Sequence, residues 1–305
     1  MLAIVLALAS AIGYGGSDFA AGLASRSAPV FQITLLASAV SAVFVAAALP
    51  FAASPGPSAA ALAWGFAAGI GGTLGAFALY LGFRHAAFSV AAPLSAVASA
   101  GFSVLAGLLY GERPTALALD GIVLALPAIV GTAASAADDT VVSAGGEAAE
   151  EDAGPPETPA TSATGRQAAG VVYGLVAGAF FALLFIGLDR AGSDSGLWPV
   201  AAAAAGELAA ALVAAAAVRS FRLCGGRARL LAAITGVAGA AGTILFFVAT
   251  HHGLLAVTAV LTSLYPAVTI LLARVMLGER LTALRLAGLG LAGVCVSLIA
   301  VGSAG

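Results

Sequence analysis

Two carboxylates stand where the surrounding sequence makes them expensive. Asp18 lies about two-thirds along the first long apolar run, and Glu207 lies near the middle of an alanine-rich one. An ionisable group inside a bilayer costs a few kcal/mol or more, so it normally faces a cavity or a partner. Such carboxyl groups can exchange a proton with a passing solute, which makes Asp18 and Glu207 candidates for proton coupling. The structural alternatives are an Asp18 shallow enough to reach the interface and a Glu207 hydrogen-bonded between helices. His85 and His252 close two further apolar runs and can carry protons, although a histidine at a helix end also suits the last carbonyls. Tyr14, Tyr80, Ser99, Thr262 and Tyr265 offer hydroxyls to a small solute and, with Asp18, make up the expected substrate-binding set. Enzymatic chemistry has no foothold: no His-x-x-x-His, Asp-x-x-Asp or Gly-x-Ser-x-Gly stands on a long apolar run. Cys224 and Cys295 form neither a disulfide framework nor a metal-ligand spacing. No catalytic residue, metal or cofactor is expected.

The elements that must hold these side chains follow from composition. The chain is 61% hydrophobic and 9% charged, with a mean hydropathy of +1.09; a soluble domain carries about 25% charge. This reads as an all-α integral membrane protein, because the apolar runs are roughly 20 residues long, as a helix crossing a core about 30 Å thick requires. Strands of a barrel would be about 10 residues of alternating polarity. A net charge of −2 gives no argument for nucleic acid.

Ten spans are expected. The first five run from about Leu2 to Leu23, Val30 to Phe51, Ala59 to Phe83, Ala87 to Tyr110 and Thr115 to Ala136. The other five run from about Ala168 to Leu188, Leu197 to Val218, Leu230 to Thr250, Leu254 to Leu277 and Thr282 to Val301. No basic region precedes the first, so it reads as a permanent span rather than a leader. Gly65, Gly69, Gly71 and Gly75 give the third span two small-xxx-small spacings, which let another backbone come close. Between the fifth and sixth spans, Asp138 to Gly165 carries seven acidic residues among Pro, Ser, Thr and Gly. Too little apolar surface is available there to offset ordering entropy, so residues 137–167 are expected to be a disordered acidic linker.

The chain also writes one stretch twice. Gly111-Glu112-Arg113-Pro114-Thr115 and Gly278-Glu279-Arg280-Leu281-Thr282 are 167 positions apart, and the same shift carries His85 onto His252, Gly75 onto Gly242 and Gly121 onto Gly288. Each triplet reads as a turn, with Gly ending one helix and Thr capping the next; the Glu and Arg are expected to matter for folding. The repeats are residues 1–136 and 168–305, five spans each. Five is odd, so the second half enters from the opposite side, giving inverted repeats of the kind secondary transporters use.

These paired Gly-Glu-Arg-x-Thr endings, each after an apolar helix with Pro93 or Pro266 in its first half, resemble the drug/metabolite transporter superfamily, in particular its ten-helix EamA-like branch. The resemblance implies a basket of ten helices around a central cavity and export of small metabolites, amino acids or drugs across the bacterial inner membrane by alternating access. The expected partners are a small-molecule substrate and the lipid bilayer, with a coupling proton as the partner that Asp18 and Glu207 would serve; monomer and homodimer both stay open. The resemblance also implies a peripheral seventh helix. Where relatives carry a Trp in the first helix, this chain has Gly13-Tyr14-Gly15-Gly16, so no substrate identity transfers. On orientation the two arguments diverge: arginines favour an outside N-terminus by eight to two over the loops, and the resemblance places both termini in the cytoplasm. A lipid-linked sugar flippase of the same fold is the nearest alternative function; a membrane-embedded enzyme or an assembly subunit belongs to a different class.

Overall fold

Long runs of Ala, Leu, Val and Gly with few breakers have one way to satisfy their backbone groups away from water, which is the α-helix. The computed structural model describes residues 1–51, 56–85, 88–145, 163–219, 224–277 and 283–302. Its helices are α1 (Leu2–Ser25), α2 (Val30–Ala48), α3 (Ala59–His85), α4 (Phe88–Leu109), α5 (Ala116–Gly145), α6 (Ala163–Arg190), α7 (Trp198–Ala217), α8 (Gly226–Thr250), α9 (Leu255–Thr262), α10 (Tyr265–Leu277) and α11 (Ala283–Gly302). Among the described residues there is no strand. Among the described residues seven helices are long and apolar enough to cross a membrane, with Leu255–Met276 taken as one; Leu94–Leu109, Ala116–Val130 and Leu286–Gly302 are shorter apolar stretches. The protein is a multi-pass membrane protein.

Three boundaries differ from the sequence reading. The ninth span is broken in two at Ser263 and Leu264. Pro266 has no N–H to give the carbonyl of Thr262, and its ring crowds the preceding turn; the chain tightens there, with Leu264 N–H donating to Leu261 O. The eighth span begins at Gly226 rather than Leu230, because its helix continues one turn past the apolar run, through Arg227 and Arg229. At the expected linker, α5 runs on to Gly145 and α6 starts at Ala163, while 146–162 lie outside the described residues.

Packing joins the halves rather than keeping them apart. α1 lies along α8, α3 along α6 and α7, α4 along α6, α2 against α7 and α8, and α5 along α11. The third span's glycines are used as their spacing predicts. A Cβ on Gly65 would sit 2.2 Å from Pro199 O, and one on Gly69 would sit 1.9 Å from Ala203 O. Between α1 and α8, Gly13 meets Gly242, and hydrogen bonds flank the contact: Ser10 Oγ donates to Gly242 O (2.8 Å), and Ser17 Oγ donates to Thr235 O (3.0 Å).

The first Gly-Glu-Arg turn does more than reverse the chain. Leu255 N–H and Ala256 N–H, the opening donors of α9, bond to Glu112 Oε1 (2.5 Å) and Oε2 (2.9 Å). A carboxylate from one half thereby caps a helix of the other, where the helix dipole favours negative charge. Gly107 leaves room for it, since a Cβ there would fall 2.2 Å from Glu112 Oε2. Thr115 caps α5 as expected, accepting from Ala118 N–H (3.3 Å), and donates to Gly302 O (2.8 Å). The same end of the bundle holds Arg190, whose guanidinium stacks 4.6 Å from the Tyr110 ring centre, and Gly253, packed on Ala3. Thr282 and Glu279 lie outside the described residues. Hydrogen bonds to a charged group contribute about 1.5–3 kcal/mol each, so Glu112→Gln, which turns one acceptor into a donor, is expected to cost about that much. Gly107→Ala should cost a similar amount by displacing the carboxylate. Thermal unfolding of the purified protein in detergent checks both.

Candidate functional site

A cavity of about 180 Å³ lies between the first three helices of each half. α1 supplies Tyr14, Ser17, Asp18 and Ala21, one face of a helix at spacings of three and four. α2 supplies Thr34, Ser38 and Ser41 at the same period; α3 adds Gly72 and Thr73, α6 adds Phe181 and Leu184, α7 adds Glu207, and α8 adds Thr235, Gly239 and Thr243. Five pairs of lining residues are related by the 167-position shift: Tyr14 and Phe181, Ser17 and Leu184, Gly72 and Gly239, Thr73 and Ala240, Ala76 and Thr243. At these five pairs the lining repeats in position and differs in polarity: Tyr14 and Ser17 of α1 carry hydroxyls where α6 has Phe181 and Leu184. Leu184 and Ala240 belong also to the largely apolar cluster of Phe185, Leu188, Val200, Phe246 and Phe247, which closes one side.

The two carboxylates sit differently in this cavity. Asp18 is exposed to the cavity and makes no hydrogen bond to any described residue. Glu207 is half-buried; it accepts from Ser41 Oγ (3.4 Å), and its backbone carbonyl accepts from Thr73 Oγ1 (3.3 Å). Tyr14 shares a hydrogen bond with Thr243 (OH to Oγ1, 3.0 Å), which bridges α1 and α8 across the cavity wall. No Arg or His lines the cavity among the described residues. The polar side chains among its described lining residues, Tyr, Ser, Thr, Asp and Glu, all end in oxygen.

Of the residues singled out in the sequence, Tyr14, Asp18 and Glu207 come together here. Ser99 lies outside the cavity, buried in α4 with its hydroxyl on Ala96 O (2.9 Å). Thr262, also buried and outside it, donates to Ala7 O (3.3 Å) and ties α9 to α1. Tyr265 packs beside the core cluster of Ile129, Val260 and Leu261, and its carbonyl accepts from Thr269 Oγ1 (3.2 Å). Tyr80 and His85 fall on α3, where their side chains lie outside the described residues. His252 lines a second cavity, of about 250 Å³, with Met1, Arg113, Thr115 and Gly302. That cavity is larger, but it lies among Met1, Gly302 and inter-helix turns at one end of the bundle, and none of its described lining residues carries a carboxylate. Its neighbour His251 stacks edge-on against Phe247, with ring centres 4.4 Å apart, and burial lowers its pKa.

The sequence reading underrated α7. The family pattern implies a peripheral seventh helix, yet close packing of α7 on α3 through Gly65 and Gly69 brings Glu207 to the cavity. It also passed over Thr34, Ser38 and Ser41, although three hydroxyls at helical spacing on one apolar span were there to be read.

The sequence profile of the EamA-like transporter family matches the chain twice, over residues 1–134 and 168–301. No curated protein sequence matches it. Among solved structures, one described only as a crystal structure of a protein superposes with a TM-score of 0.68 at 16% identity, covering 96% of each chain; at that identity the likeness concerns the fold alone. With both halves matched, the multi-pass helical architecture and the profile agree, and the chain belongs to the EamA-like transporter family.

Proposed function

We propose that the protein is a secondary transporter that exports a small metabolite, amino acid or drug across the bacterial inner membrane, with the cavity between α1–α3 and α6–α8 as its solute site. One observation carries this reading: the lining includes five pairs of residues at equivalent positions of the two repeats, and each repeat also contributes one carboxylate, Asp18 and Glu207. A cavity at a repeat interface is where alternating access holds its substrate. On this reading the two carboxylates carry the coupling proton.

The reading takes residues 1–136 and 168–305 as inverted repeats of five spans joined by 137–167. Reciprocal packing supports it. Under exchange of the halves, α1 on α8 becomes α6 on α3, and α3 on α7 becomes α8 on α2; all four contacts are present. The start of α1, the end of α6 and the start of α9 also share one end of the bundle, through Ala3 on Gly253, Arg190 on Tyr110, and Glu112 on Leu255. Equivalent helices α1 and α6 thus run in opposite directions.

Counterflow in proteoliposomes with a panel of labelled metabolites tests the proposal. Saturable uptake of at least one compound, driven by an opposing proton gradient, is the expected result. Absence of uptake of every compound under proton and sodium gradients alike would turn the reading toward an assembly subunit.

A further inference from the structure

We infer that the solute is a small organic cation, an amine whose N–H groups bond to Asp18 and Ser38. The inference rests on the transport reading for its consequence and on the cavity for its argument. The cavity is lined by carboxylate and hydroxyl oxygens and apolar groups, with no Arg or His among its described residues. Carboxylates accept hydrogen bonds and donate none, whereas ammonium and guanidinium groups donate and accept none. An anionic solute would face Asp18 and Glu207 at close range with no positive partner, a repulsion that low-polarity surroundings strengthen. A cationic solute instead supplies the missing counter-charge.

A second observation stands apart from the charge. Ser38 is 6% exposed, lines the cavity and makes no side-chain hydrogen bond to any described residue. A serine within a helix often bonds its hydroxyl to a carbonyl one turn back. Ser38 does not, so its oxygen is left to a ligand or to water. Asp18 is likewise unpartnered, while Glu207 is already engaged by Ser41. The geometry therefore assigns the cationic head to Asp18 and Ser38 and leaves Glu207 as a second pole.

A matched series tests this. Cadaverine, pentylamine, 1,5-pentanediol and glutarate share a five-carbon chain and differ in charge; their binding to the detergent-purified protein is measured by calorimetry. Expected is binding of one or both amines at least tenfold tighter than that of the diol, no detectable glutarate, and a tenfold or greater loss of amine affinity in Asp18→Asn. Ser38→Ala, which leaves every observed hydrogen bond in place, should weaken amine binding several-fold without altering the diol. Glutarate or diol binding equal to that of the amines, or amine affinity unchanged in both variants, overturns the inference. Binding needs no turnover: amine binding without flux removes the transport reading and keeps this one, whereas flux of anions does the reverse.

Discussion

Replacing Asp18 with Asn is expected to leave a folded protein that moves its solute roughly 10- to 100-fold more slowly. The folded state loses nothing observable, because the Asp18 carboxylate bonds to no described residue and faces the cavity, and Asn has nearly the same shape. What is lost is the one cavity carboxylate with no partner among the described residues. A hydrogen bond to a charged group contributes about 1.5–3 kcal/mol, and each 1.4 kcal/mol is a factor of ten; together these set the range. Glu207→Gln is expected to act in the same direction with a smaller effect, because Ser41 can still donate to the remaining carbonyl oxygen. Initial rates in proteoliposomes, with the folded fraction determined by size-exclusion chromatography, provide the measurement. An Asp18→Asn protein that transports at the wild-type rate would show that this carboxylate serves neither solute nor proton.

The largest stability effect belongs to a glycine. Gly69→Ala is expected to prevent the normal packing of α3 on α7, because the new Cβ would lie 1.9 Å from the backbone oxygen of Ala203. No rotamer change relieves a clash with backbone; the helices must separate. Overpacking typically costs 1–3 kcal/mol and sometimes more, and the Gly65 contact with Pro199 one turn away would be strained with it. Gly16→Ala and Gly22→Ala are the controls, since both positions open onto free space. The expected result is a sharp loss of monodisperse Gly69→Ala protein, or a markedly lower melting temperature, with both controls at wild-type levels. Unchanged stability of Gly69→Ala would contradict the α3–α7 contact that brings Glu207 to the cavity.

Much of this architecture could be read from residue types. Apolar run lengths located the helices, the 167-position shift identified the duplication, and the glycines of the third span announced a backbone contact later found at Gly65 and Gly69. What escaped the sequence depended on facing, which a one-dimensional pattern encodes weakly in spans that are apolar all round. Ser99 and Thr262 were as plausible as Ser38 by type, yet they bond within the helix packing while Ser38 lines the cavity. The Glu112 carboxylate resembled the usual furniture of a turn, and only the approach of α9, some 143 residues later, gave it a function. Pro266 was noted as a mark of resemblance, and its missing N–H explains the break between α9 and α10.

If solute passes through the cavity between the halves, plugging that cavity stops it. With Cys224 and Cys295 replaced by serine, the chain has no other cysteine, and Ser38→Cys places one thiol in the lining. Val5→Cys, on an exposed face of α1, is the control. Reaction with a bulky, membrane-impermeant maleimide should abolish flux through the Ser38→Cys protein, excess solute should slow that reaction, and labelled Val5→Cys should transport normally. Undiminished flux through fully labelled Ser38→Cys protein, or no reaction from either side of the membrane, would contradict the account.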